Sequence, residues 1–552
     1  MRWERPAAGR EPAAAALLGW LADPQAPGLC LVSGSTGSGK SSLLAWLVRH
    51  GSRHGTVQER TVHAVVPCAG ASVRATVWSI AEQLGVPARS AGDLMAALAR
   101  DTRRTVIVLA DVHSRSLAQL VLDLRPLPHL RLVVESSSRS PAHRLLSAAE
   151  VAELDLDQGQ WRDQQRFEQW QASAVEGVGT REGPAVQEAD VDLSDPVAVC
   201  QADPWLVTTG YENEPAQNHG GLRDAWLRVG QSLCHHPAAP SRALTLLTAL
   251  SDSADPRLAP ALSEVAESSE WHVVWSRVRG DLVPPWPGPV TALGVGRGPL
   301  AGSLLVAGPG GIIRSLVDRD ASSQGRLSLG RIQPQAVAVM ADGTVLVLDG
   351  HGRAHADASW VPRPAGSGIA ALLDSAPSST ELLMGALRDH VGISIAYAPG
   401  ESTGTAALGD SSGAVHICGE ITDSAVLHRG RVTALASVRL PFGDVGTPVF
   451  YSGGADGTVR VWAPGSTPMR EPLLQRPCPV VSMDAVDTEN GPLIAVAWAD
   501  GEVECVEGAA GIHRMFRPGP PVRAVALASE GRLVIGMDES VVCLAPRTRL
   551  SL

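Results

Sequence analysis

Gly28-Leu-Cys-Leu-Val-Ser33-Gly34-Ser-Thr-Gly-Ser-Gly-Lys40-Ser41-Ser-Leu-Leu-Ala-Trp-Leu-Val-Arg-His50 is the stretch on which the reading of the N-terminal part turns. Residues 28–33 are a short apolar run, 34–39 a glycine/serine loop, and the residues from Ser41 onward carry leucines and valines at helical spacing. Gly34 to Ser41 fits G-x-x-x-x-G-K-[ST] at every required position. Glycines in such a loop let successive backbone N–H groups curl around an anion, and the start of the next helix adds partial positive charge. On this reading Gly34, Ser35, Thr36, Gly37, Ser38, Gly39, Lys40, Ser41 and Ser42 cradle the phosphates of ATP. Lys40 reaches the β/γ-phosphates, and the Ser41 hydroxyl ligates Mg2+.

Composition supports the same loop. Of 46 Lys and Arg residues, Lys40 is the single lysine. A GC-rich genome converts Lys to Arg wherever either will serve. A lysine retained at this position marks a place where a compact ammonium is needed and a broad planar guanidinium will not do.

Outward from the loop, strand-like runs at 62–68, 105–110, 130–135 and 151–156 alternate with helical patterns at 73–84, 91–101, 117–124 and 142–150. Apolar strands separated by helices predict a parallel sheet covered on both faces, an α/β domain over residues 1–160. Asp111 ends the run 105–110 and is the second candidate for the metal side. Val112 and His113 follow it, where many hydrolysing enzymes of this kind place an acid, so slow turnover is expected. Glu135, at the end of the next strand, either compensates for that acid or serves as a cap or ion-pair partner. Arg139, just after Ser136-Ser137-Ser138, either approaches a γ-phosphate or is a surface arginine.

Residues 161–270 read as an all-α region, with helical spacing in 160–177, 222–236, 241–252 and 259–267. From 271 to 552, Gly, Pro, Asp and Ser punctuate short alternating apolar runs, the texture of an all-β repeat. Hairpin-like segments stand at 303–317, 344–356, 382–396, 405–418, 449–462, 493–505 and 532–544. Most recur at roughly 40 residues, the period of a four-stranded propeller blade. The third and fourth are only half that interval apart, so the expectation is seven blades, with six and an insertion as the alternative. The final hairpin leaves no room for a fourth strand, and 271–278 is the segment expected to supply it by pairing with 540–544.

A chain of 552 residues is too long for one core and predicts about three domains. The net charge of −11 and the absence of a basic cluster argue against nucleic acid as a partner. No run approaches the ~20 apolar residues of a membrane span, and the first residues do not read as a signal peptide. The eight cysteines are scattered without a C-x-x-C pair, as in a reducing cytoplasm. Cys234-His235-His236 has no second ligand cluster at metal spacing.

Gly9-Arg10-Glu11 before a helix, the P-loop, Leu109-Ala-Asp111-Val-His-Ser114, and an apolar strand ending in Glu135-Ser-Ser-Ser-Arg139 together resemble the STAND class of signalling NTPases. The resemblance implies that Arg10 and Glu11 lie beside the nucleotide base. It also implies that a helical region couples the NTPase to ligand-sensing repeats, the order found here. It covers about half of the 552 residues, and only the P-loop is highly specific. The family's Gly-x-Pro landmark in the helical region has no clear counterpart.

The C-terminal half resembles a degenerate WD-repeat propeller. One blade carries His428, Ser452, Asp456 and Trp462, which in that family form a hydrogen-bonded tetrad. Others keep fragments such as Asp500-Gly501 and Asp342-Gly343. These resemblances imply an ATP-binding, slowly hydrolysing switch whose propeller binds a protein partner or ligand. A separately encoded effector or nucleotide-dependent self-assembly would supply the output. The alternatives are a scaffold in which nucleotide is a structural ligand, and an ATP-driven remodelling enzyme.

Overall fold

A computed structural model describes residues 6, 9–53, 56–169, 191–236, 238–279, 281, 288–361, 378–441, 446–508 and 511–547. The chain forms two compact units. One comprises Met1–Asp192 with Ala202–Pro215, the other Leu193–Gln201 with Ala216–Leu552.

The first unit is built on five parallel strands: β1 (Leu29–Ser33), β2 (Ala64–Pro67), β3 (Thr105–Ala110), β4 (Leu130–Glu135) and β5 (Ala152–Asp155). Their order across the sheet is β2-β3-β4-β1-β5. Every residue of β1 and β4 is buried, as expected of strands covered on both faces. Among the described residues, helices α1 (Glu11–Ala22), α2 (Lys40–Gly51), α3 (Val73–Leu84), α4 (Ala91–Arg100), α5 (Arg115–Leu124) and α6 (Pro141–Leu146) connect or flank them, and Pro204–Asn213 also belongs to this unit. Their starts follow local chemistry. Ser72, Ser90, Ser114 and Ser140 each accept a hydrogen bond from a backbone N–H of the first turn, satisfying donors the helix cannot. Leu17, Leu21, Leu43 and Leu47 from α1 and α2 pack with Val106, Val108 and Val133 of the sheet in one core. The start of α2 is thereby held rigidly at the end of β1.

In the second unit, the helices Pro196–Gln201, Leu222–His235, Ala239–Leu247 and Leu258–Val265 precede an all-β body. That body is a β-propeller of six antiparallel sheets, five with four strands and one with three among the described residues. Of the two counts the sequence left open, seven blades or six with an insertion, the structure has six. The segment 382–396 is not a hairpin. It is the end of a helix, Ser379–Leu387, followed by the innermost strand Ser394–Ala398 of the third blade. A capping box starts that helix: Ser378 Oγ accepts from the Glu381 N–H, and the Glu381 carboxylate accepts from the Ser378 N–H. Leu383 and Leu387, one turn apart, then bury against Leu346 and Leu408. An alternating reading of LLMGAL missed this four-residue period.

Neighbouring inner strands are stitched by side chains. Ser394 Oγ donates to Val432 O at 3.0 Å and Thr433 Oγ1 to Val480 O at 2.7 Å. Ser482 Oγ and Asp484 Oδ2 accept from Val525 and Leu527 N–H at 3.1 and 2.8 Å.

The ring closes as the sequence implied. Strand β6 (Trp271–Val278) pairs antiparallel with Ser540–Pro546, the last strand of the sixth blade, from Ser540↔Val278 to Pro546↔Trp271. An edge that would template aggregation is covered in this way. Trp275 sits at the seam, buried among Leu304, Val306, Ala526, Val534 and Val541, with its indole N–H donating to Asp318 O at 2.9 Å. Ser276 Oγ donates to Thr248 O at 2.9 Å, and Ser232 Oγ to Arg517 O at 2.6 Å. These two bonds join the helices to the ring. Gly519 makes the second approach feasible, because a Cβ there would lie 2.9 Å from Val229 O.

Candidate functional site: the loop at the end of β1

The loop between β1 and α2 has Gly34, Gly37 and Gly39 at φ of 144°, 79° and 89°, a region that strains any residue with a side chain. A Cβ on Gly34 would reach Ser38 Oγ at 2.6 Å. Ser35, Thr36 and Gly37 form an exposed crest. Ser38 is only 6% exposed, and its hydroxyl has no hydrogen-bond partner among the described residues. An orphaned buried hydroxyl normally costs about 1–3 kcal/mol. Lys40 Nζ is folded over the loop, donating to Gly34 O at 3.0 Å and Ser35 O at 2.8 Å. Ser41 is exposed and Ser42 half-buried on the first turn of α2. Glycine cradle, orphaned hydroxyl, ammonium and helix start fit the phosphates of a nucleotide with its divalent cation.

The candidate carboxylates are placed unequally. Because β4 lies between β1 and β3, Glu135 stands opposite Val32, two residues before the loop. It is 5% exposed and accepts a 2.8 Å hydrogen bond from Ser41 Oγ. Asp111, just past β3, is exposed at φ 55°, and its carboxylate accepts no hydrogen bond among the described residues. The ends of β3 and β4 are tied by Val112 N–H to Glu135 O at 2.8 Å and Ser136 Oγ to Val112 O at 2.7 Å. Arg139 is exposed, one residue beyond Ser138, whose N–H donates to Gly34 O at 3.5 Å.

A strap that sequence reasoning missed runs from the end of β5 across the loop. Asp157 accepts from both Ser35 N–H and Ser35 Oγ, each at 2.8 Å. Arg10, 1% exposed, donates to Leu156 O at 3.0 Å, to Trp161 O at 3.3 Å and to Ser38 O. Its guanidinium lies 5.1 Å from the centre of the Phe167 ring. Burial lowers the Arg10 pKa and Arg162 lowers it further, against the opposing pull of Asp157. Glu11 pairs with Arg166. Arg10 and Glu11 thus fasten residues 156–167, and Arg10 also binds the loop's own backbone at Ser38. The signal in the sequence was Asp155-Leu-Asp157, two acids flanking the end of an apolar strand beside a loop rich in N–H donors.

In the fourth blade, His428 Nε2 meets Ser452 Oγ at 2.9 Å, while Nδ1 meets Asp456 Oδ1 and Thr458 Oγ1, both at 3.1 Å. Asp456 also accepts from Arg429 N–H at 2.9 Å. The fourth member of the expected tetrad departs: the Trp462 indole donates to Ser466 O at 2.9 Å. Burial pushes the His428 pKa below its ordinary 6.5, although Asp456 pulls it the other way. Burial acts to raise Asp456, but bonds from Arg429, Thr458 and His428 outweigh it and the carboxyl titrates low. A neutral, fully bonded imidazole is a structural element.

Among the described residues no three His, Cys, Asp or Glu side chains converge as a metal-binding group, and the cysteines are free. Burial raises the thiols of Cys30, Cys68, Cys200, Cys505 and Cys543 to about 12, which leaves them unreactive. No helix among the described residues is long and apolar enough to cross a membrane. No protein-family model matches the chain, and no curated protein matches it either.

Proposed function

We propose that the first unit binds ATP with Mg2+ and hydrolyses it slowly, acting as a switch, while the propeller docks a protein partner. The observation that carries this reading is the Gly34–Ser41 cradle between a buried strand and a helix start, with the chain's single lysine folded over it. A parallel α/β sheet is compatible with nucleotide binding, and a propeller is a fold often used for protein interaction. On binding, Lys40 exchanges two neutral carbonyls for phosphate oxygens, and the Ser38 hydroxyl gains a partner. A bound Mg2+ neutralises charge on the phosphates. Turnover is slow because the residue after Asp111 is Val112, fully buried, so no acid stands there to activate water. The nucleotide state then biases assembly or engagement of a separately encoded effector in the cytoplasm, in keeping with the resemblance to STAND NTPases and WD-repeat propellers.

Calorimetric titration with ATP tests the reading. Lys40→Arg should lose at least about tenfold in affinity, ~1.4 kcal/mol, with an unchanged melting profile. Undiminished binding would remove the site. Multiple-turnover assays should give kcat below about 1 s⁻¹; a rate of tens per second would favour the remodelling enzyme. Identical solution size with ADP and with a non-hydrolysable ATP analogue would favour the scaffold.

A further inference from the structure

We infer that Glu135, rather than Asp111, is the carboxylate that answers to the divalent cation at Ser41. The inference rests on the nucleotide-binding reading above and deepens it. The argument begins with sheet order. β4 intervenes between β1 and β3, so a residue ending β4 is one strand nearer the loop than a residue ending β3. Glu135 uses that position: its register partner is Val32 of β1, and its Oε1 already holds the Ser41 hydroxyl at 2.8 Å. It is nearly buried, in a place where a carboxylate is retained only with a compensating partner. Ser41 is a neutral donor, so that bond brings no positive charge to the Glu135 carboxylate.

Asp111 lacks each of these features. It is exposed, sits at a left-handed φ of 55°, and makes no side-chain bond to Ser41 or to any other described residue. Water already solvates its charge. Mg2+ keeps several waters and takes one or two protein carboxylates together with substrate phosphates. A hydroxyl and one carboxylate are therefore a sufficient protein share. Glu135 would either ligate the ion directly or accept the Ser41 hydrogen bond, so that a lone pair of the hydroxyl oxygen is left for the ion. Both roles draw on its negative charge, which an amide of the same shape lacks even though it can still accept from Ser41.

The full-length chain provides the test, with ADP as the probe, titrated calorimetrically in Mg2+ and again in EDTA. The quantity read is the ratio of the two affinities. Glu135→Gln keeps an acceptor for the Ser41 hydroxyl but removes the charge; it should shrink the Mg2+ ratio by about tenfold or more while leaving the EDTA affinity intact. Ser41→Ala should shrink it similarly, Glu135→Asp should restore part of it, and Asp111→Asn should leave most of it. Melting curves without nucleotide confirm that each variant is folded; if Glu135→Gln is not, Ser41→Ala and Asp111→Asn carry the decision between the two carboxylates. A ratio that survives Glu135→Gln, or that collapses only in Asp111→Asn, overturns the inference while leaving nucleotide binding in place. Failure of the wild-type chain to bind ADP in either medium, with Lys40→Arg no different, overturns both.

Discussion

The phosphate cradle and the fourth-blade turn are both made of short polar side chains and glycines, yet their hydrogen bonding is opposite. Around His428 the bonds form a closed set, in which both ring nitrogens, both carboxylate oxygens and two hydroxyls find partners within the blade. In the cradle the Ser38 hydroxyl and the Arg10 Nε are buried without a hydrogen bond among the described residues, and Lys40 rests on carbonyls that a stronger anion would displace. Three glycines there hold conformations open to few other residues. A closed polar network stiffens a fold, whereas an open one stores cost that a ligand can relieve. The same residue types therefore form a closed network in one region and an open one in the other, and only the bond inventory separates them.

If the propeller is closed on itself, damage to its seam should be felt most. Trp275→Ala removes a buried indole and its bond to Asp318 O and should destabilise the second unit by ~3–5 kcal/mol, read from urea unfolding followed by tryptophan fluorescence. A loss under 1 kcal/mol would mean that β6 merely rests on the sixth blade.

A smaller effect is expected inside the blade. His428→Ala leaves Ser452 and Asp456 without their shared partner and should cost about 2–3 kcal/mol. It should also change the response to acid. The folded pKa of His428 lies below 6.5, so the unfolded chain takes up the proton first. Its contribution is complete above that value and is lost as pH falls through it. Unfolding measured between pH 7.5 and 5.5 should therefore show a shallower loss in the variant than in wild type. The slope should not vanish, because burial also depresses His63 and His272. Equal slopes would show that folding leaves the pKa of the ring unshifted.

The smallest stability effect belongs to the cradle. Ser38→Ala deletes a hydroxyl that bonds nothing described, so its melting point should stay within the few tenths of a kcal/mol typical of neutral substitutions, while ATP affinity measured by calorimetry falls. A variant that melts lower by several degrees would place Ser38 with His428 among structural residues.

Legibility in the sequence followed how local each signal is. Gly34–Ser41 was readable because strand, glycines, lysine and helix start lie within one short window, and the order of apolar runs placed Asp111 and Glu135 at strand ends. Which carboxylate touches Ser41 was not readable, because that depends on β4 entering the sheet between β1 and β3. The Asp157 strap was lost for the same reason, since its partner Ser35 is 122 residues away. The hairpin read at 382–396 was an error of period: an apolar run of two helical turns imitates a strand unless the Ser378–Glu381 capping box is weighed with it. The closing strand was legible by subtraction, as the last hairpin was one strand short.

That closing strand also sets a clock on biosynthesis. Arg547 donates to Trp271 O across 276 residues of chain. At roughly 5–20 residues per second of translation, β6 leaves the ribosome some tens of seconds before the strand it must pair with exists. The sheet of the first unit, whose strands all lie upstream, has every partner in hand by then. During that wait β6 is a nascent apolar segment with one edge unmet, and a stalled or shortened transcript would release it in that state.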